Sequence, residues 1–159
     1  GCTPEAPTVE VALGGKKPKY EVVITNEDLQ NVEATFSDKR DNDKVDFAMF
    51  GCPHFTLEEA QHIAEGVKGK KLAIPMYILV SSHALQMAQR MGIADVLAEA
   101  GAEIIADSCP DQPCWHYLKG KVGITESPKC AYYPRRRGIH FIIRDLDTCI
   151  QAALTGEVK

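Results

Sequence analysis

Cysteine, histidine, serine and lysine recur in this sequence just after short apolar runs. Cys52 and His54 lie in Gly51-Cys52-Pro53-His54, after Val45–Phe50. Ser81-Ser82-His83 follows Ala73–Val80, and Ser108-Cys109-Pro110 follows Glu103–Ala106. Ser127-Pro128-Lys129 comes after Lys121–Thr125, and Asn26 after Tyr20–Thr25. If the runs are strands of one largely parallel sheet, their carboxyl ends share an edge, which is where open α/β sheets bind ligands. Two cysteines at neighbouring strand ends, Cys52 and Cys109, could then ligate one metal or cluster without any local motif. A helix beginning just after Cys52 would also lower the pKa of its thiol and favour a bound anion.

Each candidate has a plainer reading. Cys52 and Cys109 could be small packing thiols, and Cys149 falls on the apolar face of the last helix. His54 could satisfy a backbone group, and His62, His83 and His116 read as surface or cap residues. Ser81 and Ser82 are helix caps first and substrate contacts second. Arg135-Arg136-Arg137 reads as a solvated face able to hold an anionic substrate. No C-x-x-C occurs, and Cys109 and Cys114 are a weak pair.

The elements that must position these residues follow from apolar periodicity. Val45–Phe50 predicts a buried strand that Gly51 and Pro53 end sharply. Thr56 and Glu59 have capping-box spacing, and Ala60, Ile63, Ala64 and Val67 give the helix one apolar face. Tyr20–Thr25 reads as a strand, with Asn26 capping a helix over 27–36, and Ser37–Lys44 as a charged connection. Ala73–Val80 is a strand buried on both faces. After Ser81-Ser82 come a helix with the stripe Ala84, Leu85, Ala88 and Met91, then a short helix Ile93–Ala100 stopped by Gly101. Glu103–Ala106, Lys121–Thr125 and His140–Ile143 are further strands. Asp111–Gly120 is an irregular loop and Cys130–Arg137 a helical turn or loop. Asp145 caps a closing helix that turns Leu146, Cys149, Ile150, Ala153 and Leu154 inward. The alternation predicts an α/β fold: three α/β/α layers around a mostly parallel sheet of about five or six strands. Residues 1–19 read as an arm or linker, and 20–159 as a single α/β domain.

The bulk properties narrow the function classes. The chain has 159 residues, 45% hydrophobic and 25% charged, enough for one domain with a core. A net charge of −4 gives no electrostatic case for nucleic acid or an anionic membrane. No apolar run approaches the roughly 20 residues of a membrane span. No signal peptide is visible, so a cytoplasmic location is expected. Six cysteines are too few for a disulfide scaffold. The first residue is not Met, which reads as processing or as a piece of something longer.

Several stretches together resemble the large subunit of aconitase X. They are Gly1–Thr8, Gly51–Glu59, Met91-Gly92 with Glu99-Ala100-Gly101, Ile104–Cys109, Thr125–Tyr133 and Ala152–Gly156. Family members are aconitase-like hydro-lyases that use an iron–sulfur cluster or a mononuclear iron. They dehydrate small hydroxy acids, cis-3-hydroxy-L-proline in many bacteria and mevalonate 5-phosphate in archaea, with the former the first choice here. The resemblance implies a C-terminal α/β portion with an aconitase-like fold and with Cys52 and Cys109 as iron ligands. A third ligand would come from a preceding segment of the large subunit, and a small swivelling domain would complete the enzyme. Ser127 and Lys129 match the substrate-contact stretch. Pro128, Cys130 and Ser108 depart from the family pattern, and Cys114 and Cys130 add further thiols.

The implied chemistry is Lewis-acid elimination of hydroxide. Ser127 would be the base, Lys129 would bind the substrate's carboxylate or phosphate, and His54 would assist the leaving hydroxyl or orient a ligand. The chain alone is expected to be inactive. The alternatives are a non-catalytic α/β binding or assembly domain with structural cysteines, and a redox or zinc site built from Cys109 and Cys114.

Overall fold

The computed structural model describes residues 3–37 and 44–158. The connection 38–43 and Cys2 lie outside the described residues. Five parallel strands form one sheet in the order β3-β2-β1-β4-β5. They are β1 (Phe47–Phe55), β2 (Met76–Val80), β3 (Ala102–Ala106), β4 (Val122–Thr125) and β5 (His140–Ile143). The helices are α1 (Val9–Leu13), α2 (Asn26–Phe36), α3 (Leu57–Val67), α4 (Ser82–Arg90), α5 (Ile93–Ala100), α6 (Pro128–Tyr132) and α7 (Leu146–Thr155).

Apolar runs explain the sheet: every residue of β2 is buried, as a central parallel strand requires. One core layer joins Phe50, Ile78 and Ile124 to Ile63, Leu97 and Ile150 of α3, α5 and α7. On the opposite face Phe47, Leu79 and Phe141 pack with Trp115, Cys130 and Ala131. The sheet is thus covered on both faces. The capping box of α3 forms as its spacing predicts, Glu59 N–H donating to Thr56 Oγ1 (3.2 Å) and Thr56 N–H to Glu59 Oε2 (2.7 Å). Its four expected core positions are all buried. Asp145 caps α7, with Cys149, Ile150 and Ala153 buried.

Several expectations change. Tyr20–Thr25 is no strand: Tyr20, Val22, Val23 and Ile24 are all exposed, because a β-branched apolar run yields a strand only where a neighbour offers backbone groups. Thr25, not Asn26, caps α2. The stripe of α4 is narrower than its spacing suggests, with Ala88 buried and Met91 exposed. Residues 113–118 of the expected irregular loop form a 3-10 helix that buries Trp115 and Leu118.

The largest change is in β1. Gly51 and Pro53 do not end the strand; it continues to Phe55. Phe50 pairs with Ile78 and Phe55 with Val80, so five steps along β1 match two along β2. The surplus residues form a bulge, with a cis Cys52–Pro53 peptide. This irregular crest carries Cys52 and His54.

Candidate functional site at the switch point of the sheet

The chain starts its sheet at β1, builds outward through β2 and β3, then returns to the other side of β1 with β4 and β5. Strand order therefore reverses between β1 and β4, and open α/β sheets bind ligands in the crevice at the carboxyl ends of that pair. Cys52 follows β1's regular part, and Glu126-Ser127-Pro128-Lys129 follows β4. The two segments are stitched together: Ser127 Oγ donates to the Cys52 carbonyl and accepts from Cys130 N–H at 3.1 Å.

Cys109 reaches this place from further away. β2 lies between β1 and β3, so Cys52 and Cys109 do not follow adjacent strands as the sequence reading assumed. The loop after β3 folds over nonetheless, and Gly51–His54 and Ser108–Pro110 line one shallow depression of ≈ 240 Å³. His54 Nε2–H donates to the Ser108 carbonyl at 2.7 Å. Because a carbonyl only accepts, this bond leaves Nδ1 as the basic nitrogen of a neutral ring. Cys109 is exposed and Cys52 is buried, 8% exposed.

The expected low-pKa thiol at Cys52 is overturned. Burial pushes its pKa up, the nearby Cys109 adds to the rise, and Lys129 only partly opposes it. The N-terminus of α3 begins past the bulge, so Cys52 meets apolar neighbours first. A buried thiol of raised pKa is a poor free nucleophile but remains a good metal ligand, because a bound cation strips its proton.

The other candidates divide by position. Lys129 is exposed on the first turn of α6, where its charge is felt at Cys52. Ser127 is buried as the N-cap of α6. Ser81 caps α4, and Ser82 N–H donates to Asp107 Oδ1 at 3.0 Å; neither lines the cysteine depression. Cys130 is buried with its thiol directed at the Met49 carbonyl, and Cys149 is core. Cys114 is an exposed free thiol. Among the described residues no group of three or more His, Cys, Asp and Glu side chains is arranged to hold a metal ion. The depression offers two cysteine sulfurs, a ligand type that suits iron–sulfur centres but would need further donors.

Sequence reasoning passed over Glu126. Burial raises its carboxyl to about 7, with Glu59 adding to the rise, while bonds from its own backbone, the Thr125 hydroxyl and the Gly51 amide oppose it. Its only sequence signal is an acid directly after an apolar strand. Between pH 4.5, its ordinary value, and about 7 the folded chain holds a proton there that the unfolded chain releases. Stability is expected to fall as pH rises through that window, by about 3 kcal/mol in total. Urea unfolding at pH 5 and pH 8 checks this: Glu126→Gln should flatten the dependence and exceed the parent's stability at pH 8. An unchanged slope would show that another group is responsible.

The arginine run also differs from its reading as a solvated face. Arg136 pairs with the Asp111 carboxylate, and Arg137 Nε donates to Asp111 Oδ1 at 2.9 Å. Hydrogen bonds from these guanidiniums hold the Asp111 carboxyl below its usual range.

Residues 45–155 match the family of the aconitase X third domain. The chain belongs to the aconitase X family. It is 31% identical over 151 residues to the phosphomevalonate dehydratase large subunit of Thermococcus kodakarensis, covering 87% of this chain and 38% of that protein. It is 29% identical to the cis-3-hydroxy-L-proline dehydratase of Hypocrea jecorina, covering 98% of this chain and 27% of that one. The holo-form of Thermococcus kodakaraensis aconitase X superposes with a TM-score of 0.72 at 30% identity, over 83% of this chain and 34% of that one. The aconitase X chain described here thus spans about a quarter to two fifths of these relatives' lengths. Its parallel α/β/α sheet is the fold it shares with that aconitase X structure. Among the described residues no helix is long and apolar enough to cross a membrane.

Proposed function

We propose that this aconitase X third domain supplies part of the active site of a hydro-lyase that dehydrates a small hydroxy acid. The observation that carries the reading is the convergence of Cys52 and Cys109 on one depression beside the β1/β4 switch point. The two thiols would hold an iron–sulfur or iron group together with donors from the rest of the large subunit. That group, when bound, supplies the Lewis acid that makes the substrate hydroxyl a leaving group. Lys129, exposed on the first turn of α6, binds the substrate's carboxylate or phosphate. His54 orients the Cys109 loop through Ser108; with its Nε2–H committed to that carbonyl, assisting the departing hydroxyl would require a second proton, on Nδ1. Ser127 Oγ is the candidate proton acceptor, and Glu126 is the neighbouring group able to hold and release a proton near neutrality. Ser81 and Ser82 stand at the end of β2 as outer substrate contacts. The subunit naming of the relatives supports a partner small subunit, the swivelling domain of the resemblance.

Anaerobic loading with ferrous iron and sulfide tests the reading. The chain alone should bind iron weakly with loss of two titratable thiols and turn over no hydroxy acid. The assembled enzyme containing it should dehydrate cis-3-hydroxy-L-proline or mevalonate 5-phosphate. An assembled enzyme that binds iron with both thiols still titratable would overturn the ligand assignment.

A further inference from the structure

Cys52 and Cys109 line one depression although the sheet does not bring their strands together. Adjacent strands lie ~4.8 Å apart, so the ends of β1 and β3 are about 10 Å apart. The loop after Ala106 must travel inward across the end of β2, and it needs anchors there. Asp107 makes the first turn with a left-handed φ of 51°. Beyond it the Cys109 carbonyl accepts two bonds, from the Trp115 indole Nε1–H at 2.9 Å and from Gln112 N–H at 3.1 Å. Trp115 is itself buried, edge-on to Tyr77 of β2 at 5.0 Å between ring centres.

The strongest anchor comes from the far side of the sheet. Arg136 and Arg137 end the 3-10 helix Tyr133–Arg137 that leads into β5, the edge opposite β3. Both grip the Asp111 carboxylate, and Arg137 Nε also donates to the Asp111 carbonyl at 2.9 Å. The ion pair therefore joins a segment leaving one edge of the sheet to a segment entering the other, over the strands between.

We propose that the clasp of Asp111 with Arg136 and Arg137, seated by Trp115, is a positioning device that carries Cys109 across β2 to Cys52. These are positioning residues, acting through the loop backbone on the Cys109 sulfur. What the thiol pair binds rests on the iron reading above; the closeness of the pair does not.

A metal-free test separates the two. The full chain carrying Cys2→Ser and Cys114→Ser leaves exposed Cys109 and Cys52, which keeps 8% of its surface at the depression, as the reactive pair, since Cys130 and Cys149 expose none. It is treated with dibromobimane, and bridged Cys52–Cys109 peptides are quantified by mass spectrometry. Bridging is expected in this background. Asp111→Ala should slow it by about tenfold or more through lost proximity, while single alkylation of Cys109 by iodoacetamide persists and the thermal transition of the sheet remains. Asp111→Glu should restore part of the rate, a rescue that general loss of stability would not give. Should Asp111→Ala fail to fold, Trp115→Phe and Arg136→Lys decide, each expected to bridge more slowly than the background. Background-rate bridging in Asp111→Ala, or in both replacement variants, overturns the proposal, as does no bridging in the background itself. Normal bridging here, with both thiols still titratable in the iron-loaded assembled enzyme, would instead remove the iron reading and leave the clasp standing.

Discussion

Gly51→Ala is expected to cost well over 3 kcal/mol, or to prevent folding, because two independent penalties coincide at this residue. Its φ of +94° lies where only glycine is at ease. A Cβ there would stand 2.0 Å from the Leu79 carbonyl oxygen and 2.8 Å from its carbon. These are backbone atoms of the neighbouring interior strand β2, so no rotamer can relieve the clash. The residue cannot shift either, since the next one, Cys52, holds the buried Ser127 through its carbonyl. Gly69→Ala is the control: its φ is +71°, but nothing lies within 4 Å of its would-be Cβ. It should cost only about 1 kcal/mol, from backbone strain alone. Urea titration of both variants separates clash from strain. Equal midpoints would mean that β1 and β2 can part locally, and that the bulge is not held as described.

Cys52→Ser should abolish iron binding in the assembled enzyme, and with it dehydration. The loss should exceed the roughly 10–100-fold that changes beyond the ligand shell cause. Serine is nearly isosteric, so folding should survive and the defect should appear in iron content and visible absorbance. The pH dependence sharpens the prediction. Burial raises the Cys52 pKa, so the metal-free thiol is protonated at neutral pH and must release a proton to ligate. Iron affinity should therefore rise with pH across the neutral range and weaken as pH falls. Lys129→Ala removes a charge that opposes the raised pKa, so it should move that dependence to higher pH. Affinity independent of pH, or a Cys52→Ser enzyme with full iron content, would favour a structural role for this thiol.

Much of the scaffold was legible in the sequence because it rests on local rules. Buried parallel strands read as continuous apolar runs, and the α3 capping box depends on two residues three apart. The four buried positions of α3 follow from helical period alone. The segments after β3 and β4 that carry Cys109, Ser127 and Lys129 were legible for the same reason, whereas Cys52 lies in an irregular stretch within β1 and not beyond its end. Tyr20–Thr25 shows the limit of such rules: its β-branched apolar residues suit a strand, but a strand exists only when another one pairs with it.

What the tertiary structure alone decided depends on residues far apart in the chain. The sheet order put β2 between the two cysteine-bearing strands, which no periodicity encodes. The bulge after Phe50 arose where Gly51 presses against Leu79, a contact between residues 28 positions apart. Burial raised the Cys52 thiol and brought the Glu126 carboxyl to about 7, because desolvation depends on what packs around a group and not on its sequence neighbours. Asp111 and its arginines, separated by a strand and two short helices, became one ion-paired group only when the chain returned to the far edge of the sheet. The sequence by itself thus determined which residues could do chemistry and which elements carry them. Packing decided which of them meet, because proximity and dielectric are properties of the folded chain.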